Sequence, residues 1–117
     1  MRGPEFLCGL DVAIDVVGGK WKALILWALS VEPRRTGELR RELEGVSEKM
    51  LIQQLRELER DGVVQRTVHE QVPPKVVYSL TPNGEQLERA LRPLGDWGDA
   101  HCDTLVTNRR RASLACD

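Results

Sequence analysis

The sequence predicts a mostly helical fold closed by one β-hairpin, and three observations predict it. A string of short amphipathic segments fills the first half, and two β-branched runs flank Pro73-Pro74. A long segment with leucines at alternating steps of four and three follows. With 117 residues, 41% of them apolar, the chain has room for one domain with a modest core and not for a second.

Each element has its own signal. Residues 1–6 (MRGPEF) carry neither period and are set aside as a tail or cloning remnant. Asp11 to Val17 has near-helical spacing and stops at Gly18-Gly19, a pair suited to ending one helix and turning into the next. Lys20 to Ser30 repeats apolar residues at Trp21, Leu24, Ile25, Ala28 and Leu29, widened by Leu26 and Trp27, which predicts a well-buried helix closed by Pro33. Thr36 to Leu43 is a short helix facing inward through Leu39 and Leu43 and ended by Gly45.

Ser47 is a good N-cap for a fourth helix running to Asp61 and stopped by Gly62. Val63–Val68 and Val76–Leu80 then read as a hairpin, with the loop His69 to Lys75 as a wing. Thr81-Pro82 starts a last helix through about Leu105, in which Pro93 should cause a kink. Residues 107–117, with Arg109-Arg110-Arg111, read as a polar, mobile tail, leaving 7–106 as the domain. Two helices joined by a four-residue turn and followed by a hairpin make a winged helix-turn-helix.

Net charge of −1 speaks against nucleic acid as a partner if taken alone, because phosphate contacts need Lys and Arg. Distribution matters more than the total. Arg34 to Arg66 holds eight basic and seven acidic residues, a net of +1. On the fourth helix, steps of 100° gather Leu51, Leu55 and Leu58 within about 60°, fixing the buried face. Lys49, Gln53 and Arg60 then fall within about 30° of the opposite direction, and Arg56 within about 50°.

Such a stripe suits a major groove, where Lys and Gln read base edges and Arg meets bases or phosphates. Ser47, Lys49 and Gln53 are the candidate readers, Arg56 a base or phosphate contact, and Arg60 a backbone contact. Around the third helix, Arg34, Arg35, Thr36, Arg40 and Arg41 are candidate phosphate anchors, and in the wing Lys75 and His69 face an adjacent minor groove.

The residues resemble the HxlR-type regulators, bacterial relatives of the MarR group, from about Cys8 to His101. The likeness rests on Gly18-Gly19-Lys20-Trp21, on Gly37 to Val68 (GELRRELEGVSEKMLIQQLRELERDGVVQRTV), on Val72 to Gly84 (VPPKVVYSLTPNG) and on Asp96-Trp97-Gly98. The resemblance implies a homodimer whose first and last helices interlock, with the fourth helices in successive major grooves of a double-stranded operator with two half-sites. Thr36 stands where that family often has phenylalanine, and Gly9 follows Cys8 where proline is common.

Cys8, Cys102 and Cys116 are an odd number without a CxxC pair, so a zinc site and a disulfide framework are not expected, nor is a cofactor. The thiols are expected to rest reduced in a cytoplasm. Family members that resemble this chain sense quinones, aldehydes or oxidants through a cysteine just before the first helix, where Cys8 stands. A helix N-terminus favours a thiolate there, whereas Asp11 and Asp15 oppose it, and passive packing is the plainer reading. Cys102 is a candidate resolving partner across the interface, and Cys116 reads as incidental.

Two other classes compete with a redox-gated regulator. A ligand-gated regulator would bind a small aromatic effector among Trp21, Trp27 and Trp97, and a protein-interaction module would use the last helix without DNA. An enzyme is not expected, since His69 and His101 are the only histidines and no phosphate loop or nucleophile motif accompanies them.

Overall fold

The structure, a computed structural model, describes residues 5–115, so Cys116 lies outside the described residues. The order is α1 (Gly9–Val17), α2 (Lys22–Val31), α3 (Thr36–Glu42), α4 (Glu48–Arg60), β1 (Val64–His69), β2 (Lys75–Leu80) and α5 (Pro82–Ala115). The winged helix-turn-helix is therefore present, with α3 and α4 as its helix pair and β1 and β2 as its wing.

The core is built where the apolar period is strongest. Ile25, Leu26, Ala28 and Leu29 of α2 meet Leu39, Leu43 and Val46 around α3, then Leu51, Leu55 and Leu58 of α4, and Val63, Val64 and Tyr78 at the hairpin base. Leu51, Leu55 and Leu58 are all 0% exposed, each contributing about 2 kcal/mol of burial that fixes how α4 is rotated. Ser47 caps the helix as expected, its Oγ accepting from the Met50 amide at 3.1 Å. Gly62 (φ 79°) takes the left-handed conformation that ends the helix and turns the chain into β1.

The strands pair antiparallel from Val64↔Leu80 to His69↔Lys75, one residue later at β1 and one earlier at β2 than the sequence suggested. A third stretch of backbone joins them through one isolated bridge. The Arg34 amide donates to the Tyr78 carbonyl (2.9 Å) and the Tyr78 amide to the Arg34 carbonyl (2.8 Å), tying the start of α3 to the wing.

The start of α5 is latched to the end of α4. Thr81 Oγ1 donates to the Gly62 carbonyl (2.7 Å) and accepts from the Gly84 amide (3.0 Å), while the Thr81 amide donates to the Val63 carbonyl (3.2 Å). Gly84 makes this possible, because a Cβ there would stand 1.9 Å from that carbonyl oxygen.

Two expectations are corrected at the ends. α1 begins at Gly9 rather than Asp11, and α5 runs on through Pro93 to Ala115, where the sequence suggested a helix end near Leu105. The 34 residues of α5 span roughly 51 Å at 1.5 Å per residue, close to the longest extent of the molecule, 58 Å. That arm explains a radius of gyration of 17.1 Å where a compact chain of this size would have about 13 Å. No helix among the described residues is long and apolar enough to cross a membrane.

Candidate nucleic-acid interface

With its leucines committed inward, α4 presents Lys49, Gln53 and Arg56 to solvent, and all three are exposed. They line one shallow groove together with Glu48, Ile52 and Glu57. Ser47 stands at the head of this face, and because its oxygen accepts the cap bond, its hydroxyl proton is left to donate outward. Arg60 is also exposed, but its guanidinium forks onto Asp61 at 3.0 and 3.2 Å. That carboxylate raises the Arg60 pKa above its already high value, so the side chain stays cationic with two of its five donors engaged.

A second groove lies between the start of α3 and the wing, and it gathers Arg35, Thr36, Arg41, His69 and Lys75. The Glu38 carboxylate accepts from the Arg35 amide at 2.8 Å, which pins the first turn of α3 and leaves the Arg35 side chain exposed. Lys75 stands opposite His69 at the loop end of the hairpin, so the wing brings its cation to the same side as Arg35. Arg40 is exposed on α3 and is not among the residues of this groove.

Arg34 must be removed from the set of free phosphate anchors. Its side chain is only 14% exposed and is held by Glu32 (3.4 Å) and Glu42 (3.3 Å), with Nε buried and unpartnered. The backbone bridge to Tyr78 turns it inward, which a sequence showing only an Arg-Arg pair does not reveal.

Sequence reasoning also missed Lys22. It is buried at 6% exposure, and its ammonium donates to Glu57 Oε1 at 2.6 Å across the α2 and α4 packing. Glu57 has a lowered pKa, first from that hydrogen bond and then from the charge of the same lysine. The partners are 35 residues apart, and no local pattern could have joined them.

The cysteine candidates are both exposed, Cys8 as the N-cap residue of α1 and Cys102 on the distal half of α5. Of the tryptophans, Trp21 packs against the core under the Lys20 ammonium, 4.8 Å from the ring centre. Trp27 and Trp97 are 53% and 58% exposed.

Comparison with known proteins agrees with this geometry. The family model described as HxlR-like helix-turn-helix matches residues 16–105. The HTH-type transcriptional regulator YkvN of Bacillus subtilis (strain 168) is 48% identical over 99 residues, covering 85% of this chain and 84% of that protein. Among solved structures, the redox regulator HypR in its reduced form superposes with a TM-score of 0.81 at 41% identity, over 86% of this chain and 99% of that one. The reduced transcriptional regulator YodB from B. subtilis gives 0.73 at 32% identity, over 85% and 98%. The chain belongs to the HxlR-like helix-turn-helix family, and it is a transcriptional regulator rather than an enzyme.

Proposed function

We propose that this regulator binds a double-stranded operator with two half-sites as a homodimer, each copy placing α4 in a major groove. Ser47, Lys49 and Gln53 read base edges, and Arg56 meets a base or phosphate. Arg35, Thr36 and Arg40 anchor the phosphate backbone from α3, and Lys75 reaches an adjacent minor groove from the wing. The observation that carries this reading is the division of α4 into a face of three fully buried leucines and an opposite face of exposed Lys49, Gln53 and Arg56. A protein-docking face would hold aromatic or aliphatic anchors in their place.

Dimerisation is supported by what one chain leaves uncovered. α1 exposes Leu10, Val12 and Ile14, and α5 exposes Leu94, Trp97, Leu105 and Val106, with the Trp97 ring stacked on His101 at 4.7 Å. Fluorescence anisotropy on DNA from upstream of its own gene, across a salt series, tests the interface. Lys49→Ala and Arg56→Ala should each weaken binding about tenfold, and loss of a phosphate contact should flatten the salt slope by about one. Binding unchanged in both variants would refute the reading.

A second element of the proposal is that Cys8 gates binding. Its support is the exposed thiol at the head of α1, an exposed Cys102 on α5, and the likeness to the redox regulator HypR. An added thiol oxidant removes two electrons and two protons from Cys8 and Cys102 of a second copy, leaving a disulfide. Diamide should then weaken operator binding by the wild type and not by Cys8→Ser, and equal loss in both would end this element.

A further inference from the structure

Glu57 is a shared acceptor. One carboxylate oxygen takes the buried Lys22 ammonium (2.6 Å), and the other takes Nε2 of Gln53 (3.3 Å), one turn earlier on the exposed face of α4. Since Glu57 is ionised and can only accept, the amide side of Gln53, and not its carbonyl oxygen, must face it. The lysine in turn cannot swing away, being 6% exposed at the start of α2 where it packs on α4, so it holds the carboxylate in place.

We propose that Lys22 and Glu57 are positioning residues that fix the carboxamide of Gln53 to read adenine. An amide nitrogen has two protons, and Glu57 engages one of them. The remaining proton and the carbonyl oxygen form a donor and acceptor pair, which matches N7 and N6 of adenine in the major groove. Guanine offers two acceptors there, N7 and O6. A tethered Gln53 cannot turn its oxygen aside and give both amide protons to them. Lys22 and Glu57 thus act on specificity through Gln53, while Lys49 and Arg56 lie outside the network.

This inference rests on α4 reading a major groove, and the experiment separates the two. A preferred site is selected from random duplexes by the wild type, and each position is then replaced by all four bases and titrated. One position per half-site should prefer adenine over guanine by roughly tenfold to a hundredfold, and Gln53→Ala should erase that preference. Glu57→Ala should reduce it at the same position by admitting guanine, with the preferences at other positions kept.

Because Glu57→Ala strands a buried ammonium, the double variant Lys22→Met/Glu57→Leu is measured beside it, with thermal unfolding as the control for folding. It should show the same admission of guanine. An adenine preference that survives in both variants but is lost in Gln53→Ala overturns the tether and leaves groove reading intact. A Gln53→Ala profile identical to wild type overturns the inference as well. Failure of the wild type to select any site would remove groove reading and this inference together.

Discussion

Two parts of this chain treat their apolar residues in opposite ways. α2, α3, α4 and the hairpin base bury theirs within one chain, whereas α1 has no buried residue and no described residue of α5 beyond Leu91 is buried. Both parts are amphipathic, so the difference lies in what they face. The first part is a finished body that orients α4, and the second leaves its apolar residues uncovered by the rest of the chain. The helix-turn-helix of α3 and α4 lies in the first part, which explains why the residues proposed to face DNA are already exposed in a single copy.

The join between the parts offers the sharpest way to break that comparison. Gly84→Ala drives a methyl group into the Val63 carbonyl and should cost about 3 kcal/mol, a drop in melting temperature of roughly 12 °C or more. An unchanged melting temperature would mean that the start of α5 is not latched to α4.

Next in size is Trp97→Ala. If the exposed indole anchors a second copy, its loss should weaken dimerisation about thirtyfold in sedimentation experiments, with little effect on the fold of each copy at high dilution. A dimer as strong as the wild type would return Trp97 to the class of ordinary exposed residues.

Arg34→Ala and Arg35→Ala sharpen the boundary between scaffold and interface. The first should lower stability by about 1 kcal/mol through loss of the Glu32 and Glu42 pairs, with the salt slope of DNA binding unchanged. The second should leave stability alone and flatten the slope by about one. The smallest effect concerns acid. Glu57 has a lowered pKa in the fold, so its pairing with Lys22 is fully stabilising above the ordinary carboxylate value and is lost as pH falls through the lowered one. Unfolding followed by circular dichroism should show a shallower acid decline for Glu57→Gln than for the wild type.

How much was legible in the sequence follows from the same division. α4 could be read almost to the residue because its period, its Ser47 cap and Gly62 all point one way, and the exposure of Lys49, Gln53 and Arg56 followed from geometry alone. The end of α5 could not. Residues 107–115 have no core to match, so the helix there follows from intrinsic preference for Arg, Ala and Leu rather than from any apolar stripe. Arg34 and Lys22 were equally hidden, since their roles depend on a β-bridge to Tyr78 and on a partner 35 residues away. Sequence periodicity fixes which face of a helix turns inward, and long-range pairing decides which charges remain free.

Methylation interference on the selected operator measures the central claim most directly, because a methyl group at guanine N7 projects into the major groove and removes an acceptor there. With α4 seated there in both copies, interference should fall in two clusters about one helical turn apart, and Arg56→Ala should weaken binding to the unmethylated duplex. Binding indifferent to guanine methylation, with interference confined to adenines modified in the minor groove, would contradict it.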